Sequence, residues 1–189
     1  ATATALVGGL ALGMGAAHAA LTIKIANLNL PGVGFNDPTP ATPVGGNAGT
    51  TLGQQRLIAF THAANLWGAA LTSPVPVVIN AQFSALTCTA TSAVLGSAGT
   101  TSIFRDFPGA TRPGTWYSYA LANRLTGRYL GTSRAAQISA NFNVNLGTPG
   151  CLEASSWYYG LDNAEPANRI DLLAVVLHEF GHGLGFSVG

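Results

Sequence analysis

A mixed α+β fold, with strands and helices alternating around one sheet, is what this sequence predicts, on three observations. "AQISANFNVNL" (136 to 146) alternates apolar and polar residues without a break, the period of a half-buried strand. Three other stretches read as helices, 52 to 71 and 169 to 183 by their apolar faces and 114 to 127 by its opening and closing residues. No internal repeat, charge run or second linker divides the chain, so these elements belong to one unit.

The first residues stand apart from that unit. "ALVGGLALGMGAAHA" (5 to 19) is an apolar run ending in Ala17-His18-Ala19, the small-x-small pattern of a cleaved secretory leader. It is short for a membrane span of about 20 residues, and Gly8, Gly9, Gly13 and Gly15 weaken it as a buried helix. We therefore expect residues 1–19 to be a signal peptide, 20–189 to be the mature part, and the protein to be secreted, extracellular or periplasmic. With no initiator Met or basic leader region, the chain is expected to begin inside a longer reading frame. Cys88 and Cys151 are the two cysteines, and neither has the spacing of a metal-ligand pair. In an oxidising compartment they are expected to form one structural disulfide.

The elements follow in order. "LTIKIANL" (21 to 28) reads as a half-buried strand, and "PGVGFNDPTPATPVGGNAG" (31 to 49) as a loop. Thr51 and Gln54 form a capping box before a helix that carries Leu57, Phe60, Ala64, Trp67 and Leu71 on one face. His62 on that helix has no second ligand four residues on and reads as a surface or core histidine. "PVPVVINAQF" (74 to 83) is a strand and "TTSIFRDF" (100 to 107) a further candidate. Pro113 and Thr115 open a second helix over 114 to 127, and Gly127 closes it. Its Trp116, Tyr117 and Tyr119 read as packing residues, with a cleft wall as the other reading. The strand 136 to 146 and an aromatic loop, 148 to 168, lead to the last helix, with Asn168 as the expected N-cap and Asp171 in its first turn.

That helix carries the chemistry. In "VVLHEFGHGLGFSVG" (175 to 189), His178 and His182 lie four residues apart, on one helical face, where two imidazoles reach a common point. Zn2+ accepts such nitrogens, and Glu179, turned about 100° around the axis, stands beside the ion rather than on it. The expected chemistry is a zinc-activated water, Glu179 as general base, and attack on a polarised carbonyl. Burying the three residues without a metal would be costly.

"HEFGHGLGF" resembles the active-site helix of the zincin metallopeptidases. The wider frame "TLGQQR…AANLWG…FRDFPGA…GTWYSYALANRL…YYGLD…HEFGHGLGF" is similar to secreted bacterial metallopeptidases that continue into a protease-associated domain. The resemblance implies a zincin-like fold, a twisted mixed sheet with 52 to 71 as backing helix and 169 to 183 as active-site helix. It implies a zinc-dependent endopeptidase acting on peptides or proteins, and makes strand 137 to 146 a candidate edge for an extended substrate. Where related motifs place a third ligand, this chain has Val188, which cannot bind zinc, although Gly185 matches their glycine and suits a helix end. Asp171 lies too far along the helix, roughly 10.5 Å from His178. Glu153, Asp162 and Glu165 remain candidates, and the favoured source is an Asp, Glu or His beyond Gly189, which would make the chain the N-terminal part of its domain.

Other classes fit less well. Only 8% of residues are charged and net charge is +1, so there is no basic stripe for nucleic acid. No stable membrane insertion is expected either. Gly185 to Gly189 also fits GxSxG, but that elbow needs a preceding strand and a following helix. The rival of a different class is a secreted, non-catalytic binding or surface module on the same scaffold, or a fragment inactive for want of its third ligand.

Overall fold

In the computed structural model, residues 19–132 and 135–186 are described. The predicted leader, apart from Ala19, lies outside them, as do Ser187 of the GxSxG match and Val188. The strands are β1 (Ile23–Asn27), β2 (Val77–Ser84), β3 (Gly96–Thr100), β4 (Ile103–Phe104), β5 (Tyr117–Ser118), β6 (Ile138–Asn143), β7 (Ser156–Tyr158) and β8 (Arg169–Asp171). The α-helices are α1 (Leu52–Ala70), α2 (Tyr119–Thr126) and α3 (Leu172–Leu184). The fold class read from the sequence holds: a mixed sheet with helices.

The main sheet runs in the order β1-β2-β6-β3. The first three strands are parallel and β3 is antiparallel to β6 at the edge. Register aligns Ile79, Ala81 and Phe83 of β2 with Ile138, Ala140 and Phe142 of β6. All six are buried, while Asn80, Gln82, Ser139 and Asn141 take the other face, where Gln82 donates to Asn141 at 2.8 Å. On the apolar face Phe60 of α1 meets Phe142 at 4.7 Å and Phe180 of α3 at 5.8 Å between ring centroids. Both long helices therefore seal the same side.

Helix α1 begins where the capping signal placed it. Thr51 Oγ1 accepts from Gln54 N at 3.2 Å, and the Gln54 side chain returns to Thr50 N rather than to the cap residue. Its inner face is Ala59, Phe60, Ala63 and Ala64, whereas Leu57 is exposed. Strand β6 is shorter than its pattern. It ends at Asn143, which is fully buried, contrary to its polar-face assignment, because its Nδ2 donates to Val94 O at 2.9 Å. The stretch 100 to 107 is not one strand: Thr100 ends β3 opposite Ile138, and Ile103–Phe104 pair separately with Tyr117–Ser118. That pairing delays α2 to Tyr119, five residues after its predicted start, while Gly127 closes it in the left-handed conformation, as expected. Tyr117 and Tyr119 are buried, which bears out packing for those two; Trp116 is exposed.

Cys88 and Cys151 are joined by a disulfide across 63 residues. It ties the loop that leads into β3 to the turn after β6, and Leu152 N donates to Thr89 O beside it at 2.9 Å. Among the described residues, no helix is long and apolar enough to cross a membrane.

Candidate metal centre

Helix α3 starts at Asp171, not Asn168. The Asp171 carboxylate accepts from Leu173 N at 2.8 Å and Ala174 N at 3.4 Å. Asn168 has a positive φ of 64° and precedes β8, which runs parallel to β7. Burial pushes the Asp171 carboxyl above its ordinary range, the two backbone hydrogen bonds oppose this, and the charges of Glu165 and Asp162 add to it. For an acid with a raised folded pKa, stability falls as pH rises from the unfolded to the folded value, and the deficit persists above it. Asp171→Asn should keep the cap and remove that acid-limb dependence. Asp171→Ala should cost about 1 kcal/mol, read as a lower urea midpoint at neutral pH; equal midpoints would show that the cap contributes nothing.

The inner face of α3 is Leu172, Val176 and Phe180. At Gly183 a Cβ would collide with the Ile138 side chain, so glycine there sets how closely α3 lies on β6. Gly185, at φ 116°, turns the chain out of the helix, and Phe186 N returns to Gly181 O at 3.0 Å. This is the glycine-terminated end the sequence suggested.

That turn acts directly on the histidine pair. It brings the Phe186 carbonyl to 2.8 Å from His182 Nδ1. A carbonyl only accepts, so Nδ1 carries the proton, and Nε2 of the neutral ring keeps its lone pair. His182 Nε2 faces His178 Nε2 at 2.9 Å. A tetrahedral ion at 2.0–2.1 Å from each nitrogen would hold them about 3.3 Å apart, so a small rotamer adjustment accommodates it. The pair fits zinc in donor type and, after that adjustment, in spacing.

Exposure differs from the expectation. His178 is exposed, and Glu179 and His182 are half-buried, because the groove beside α3 is open to solvent. The cost of burying the trio therefore gives no argument for a metal; the convergence of the two nitrogens does. Glu179 lies under β3, and a Cβ at Gly96 would stand 3.2 Å from its Cγ. Its carboxylate belongs to neither of the ion pairs among the described residues, Arg56–Asp37 and Arg105–Asp106.

Among the described residues, no group of three His, Cys, Asp or Glu side chains is placed to hold a metal. Glu153 and Asp162 are turned to local work: one accepts from Gly150 N at 2.6 Å, the other from the Tyr158 hydroxyl at 2.7 Å. Glu165 joins no such group either. His62 is half-buried on α1 and lines a shallow hollow with Leu57 and Leu161, away from the pair.

The stretch 137 to 146, expected at the sheet edge, forms β6, which lies inside the sheet; the edge strand beside it is β3, "GSAGT". Leu95 O accepts from Asn143 N, and Thr101 N donates to Gln137 O, both towards β6. In the antiparallel alternation, Gly96 and Ala98 then turn their N–H and C=O to the free edge. Two hollows flank α3 along this strand. One, of about 470 Å³, is lined by Val94, Leu95, Gly96, Val175, His178 and Glu179. The other, of about 650 Å³, includes Ala98, Thr100, Ile103, Trp116, Leu121 and His182. The three motif residues thus sit between two hollows, below a strand edge that pairs with no other strand among the described residues.

No protein-family model, curated protein or solved structure matches this chain. The functional reading therefore rests on the residues and their chemistry.

Proposed function

We propose that the protein is a secreted, zinc-dependent metalloendopeptidase on a zincin-like scaffold. His178 and His182 hold the metal and Glu179 is the general base. The observation that carries this reading is the pair of Nε2 atoms at 2.9 Å, one with its tautomer set by the Phe186 carbonyl, beside a carboxylate that joins neither ion pair among the described residues. Zinc, when bound, supplies a Lewis acid for the scissile carbonyl and makes water acidic near neutral pH.

The chain's own groups do the rest. Glu179 takes a proton from the attacking water as the C–O bond forms, then delivers it to the amine nitrogen as the C–N bond breaks. The free N–H and C=O groups of Gly96 and Ala98 bind the peptide backbone as an added strand. The remaining zinc ligand comes from outside the described residues. The disulfide Cys88–Cys151 supports an exported protein, and an exported peptidase suits a peptide or protein substrate.

Zinc titration of the chain, with His178→Ala and His182→Ala controls, tests the metal centre. The expected result is saturable binding of one ion that both substitutions remove, with micromolar or weaker affinity if only two ligands are present. Equal zinc binding by wild type and both variants would end the assignment. A non-catalytic surface module is the second reading. It is favoured by the absence of a third donor near the pair among the described residues, and zinc binding without hydrolysis of any peptide would select it.

A further inference from the structure

The hollow on the His182 side of the groove is chemically one-sided. Its wall includes Ile103 and Trp116, each more than half exposed, and Leu121, over a floor at Thr100, Ser118 and His182. Large apolar side chains left this open would normally be covered. Here they come from separate segments, β4, the residue before β5, and α2, and meet at one place beside the histidine pair.

The side-chain hydroxyls around the hollow are already engaged. Thr100 Oγ1 donates to Ser102 O at 2.7 Å and accepts from Tyr119 N at 2.9 Å. Ser118 Oγ donates to Leu184 O at 3.2 Å. The Tyr117 hydroxyl is held by Thr111 and by Arg112 N. The nearby guanidinium, Arg105, lies 5.0 Å from the Trp116 ring centroid and pairs with Asp106 at 3.5 Å. That cation stabilises the indole through its ring face, which helps to fix Trp116 as a wall. No lining side chain is a carboxylate, lysine or arginine.

We infer that this hollow is a subsite for one large, uncharged side chain of a bound peptide, aromatic or branched aliphatic. The inference rests on the peptidase reading for its substrate class, since a peptide added to the β3 edge presents alternate side chains to the groove. Gly96, Ala98 and Gly99 leave the strand itself without bulk to compete for the space. The side chain that enters displaces water from Ile103, Trp116 and Leu121. A charged one would give up part of its hydration and meet no carboxylate, lysine or arginine among the lining side chains. Trp116 and Ile103 are thereby specificity-determining residues, with no part in the bond-breaking step.

The test uses blocked peptides Gly-Gly-Xaa-Gly-Gly, with Xaa as Phe, Leu, Ala, Lys or Asp. Binding to the metal-free chain is followed by ligand-observed NMR, so that no turnover is needed. The Phe and Leu peptides are expected to bind about tenfold tighter than the Lys and Asp peptides. Trp116→Ala and, separately, Ile103→Ser should each shrink that preference to about twofold or less, whereas Trp116→Phe should keep most of it. Both residues are more than half exposed, so the melting temperatures should stay close to wild type, and the two variants report independently. Equal affinity for all five peptides, no saturable binding of any, or a preference that survives both substitutions would overturn the subsite.

Cleavage of the same set by zinc-loaded protein separates this inference from the one beneath it. Selective binding without cleavage, in protein whose zinc content is shown to be stoichiometric, leaves the subsite standing and removes the hydrolase. Cleavage with no apolar preference does the reverse.

Discussion

Replacing Glu179 by glutamine is expected to lower kcat about 10³-fold, within the range for losing a positioned general base, while zinc content stays unchanged. Glutamine keeps the length and shape of the side chain, so the stem that passes under Gly96 need not move. What it loses is the ability to accept a proton. Because Glu179 is turned away from the line between His178 and His182, its loss should spare the metal; because no ion pair among the described residues uses it, its loss should spare the fold. The pattern to look for is therefore a fall in kcat with little change in KM, the signature of an interaction made in the transition state. His178→Ala should behave differently and lose zinc and activity together. Turnover unchanged in Glu179→Gln would remove this residue as the base, and zinc lost along with turnover would make it a ligand instead.

The motif was legible because its pattern and its setting agree. A four-residue histidine spacing carries meaning only on a helix, and Leu172, Val176 and Phe180 supply the buried face that makes one. The capping signal of α1 was legible for a similar reason, since Thr51 and Gln54 act within one turn. Strand β3 was not. "GSAGT" has no large apolar residue and the weak strand preference of glycine, and it is a strand because β6 offers it a ladder. Tertiary pairing also explains the error over the edge. The alternation in 136 to 146 reports two faces and says nothing of neighbours, so it could not tell an inner strand from an outer one. Asn168 was a reasonable cap by residue type, but β7 draws Arg169–Asp171 into a strand and moves the helix start to the next capping residue. For Trp116 a cleft wall was the second of two readings, and Ile103 joins it there only because β4 pairs with β5.

Breaking the disulfide, by Cys88→Ala with Cys151→Ala, is expected to destabilise the protein by about 4 kcal/mol, the chain-entropy value for a loop of this length. For a unit of this size that corresponds to a melting temperature lower by roughly 8–16 °C. The effect should reach the groove as well. Asn143 Nδ2 lies 3.9 Å from Cys151 Sγ and donates to Val94 O, while Asn143 N donates to Leu95 O. Val94 and Leu95 in turn wall the hollow that contains Glu179. The bond therefore anchors one rim of the proposed substrate groove as well as closing a loop. Below the melting transition, the variant should show a higher KM with kcat nearly unchanged, because the rim positions peptide and the motif residues stay on α3. Asn143→Ala should reproduce the rise in KM with the disulfide intact. Two titratable thiols in the native protein would refute the bond itself. A melting temperature that fell with no change in KM would confine its role to stability.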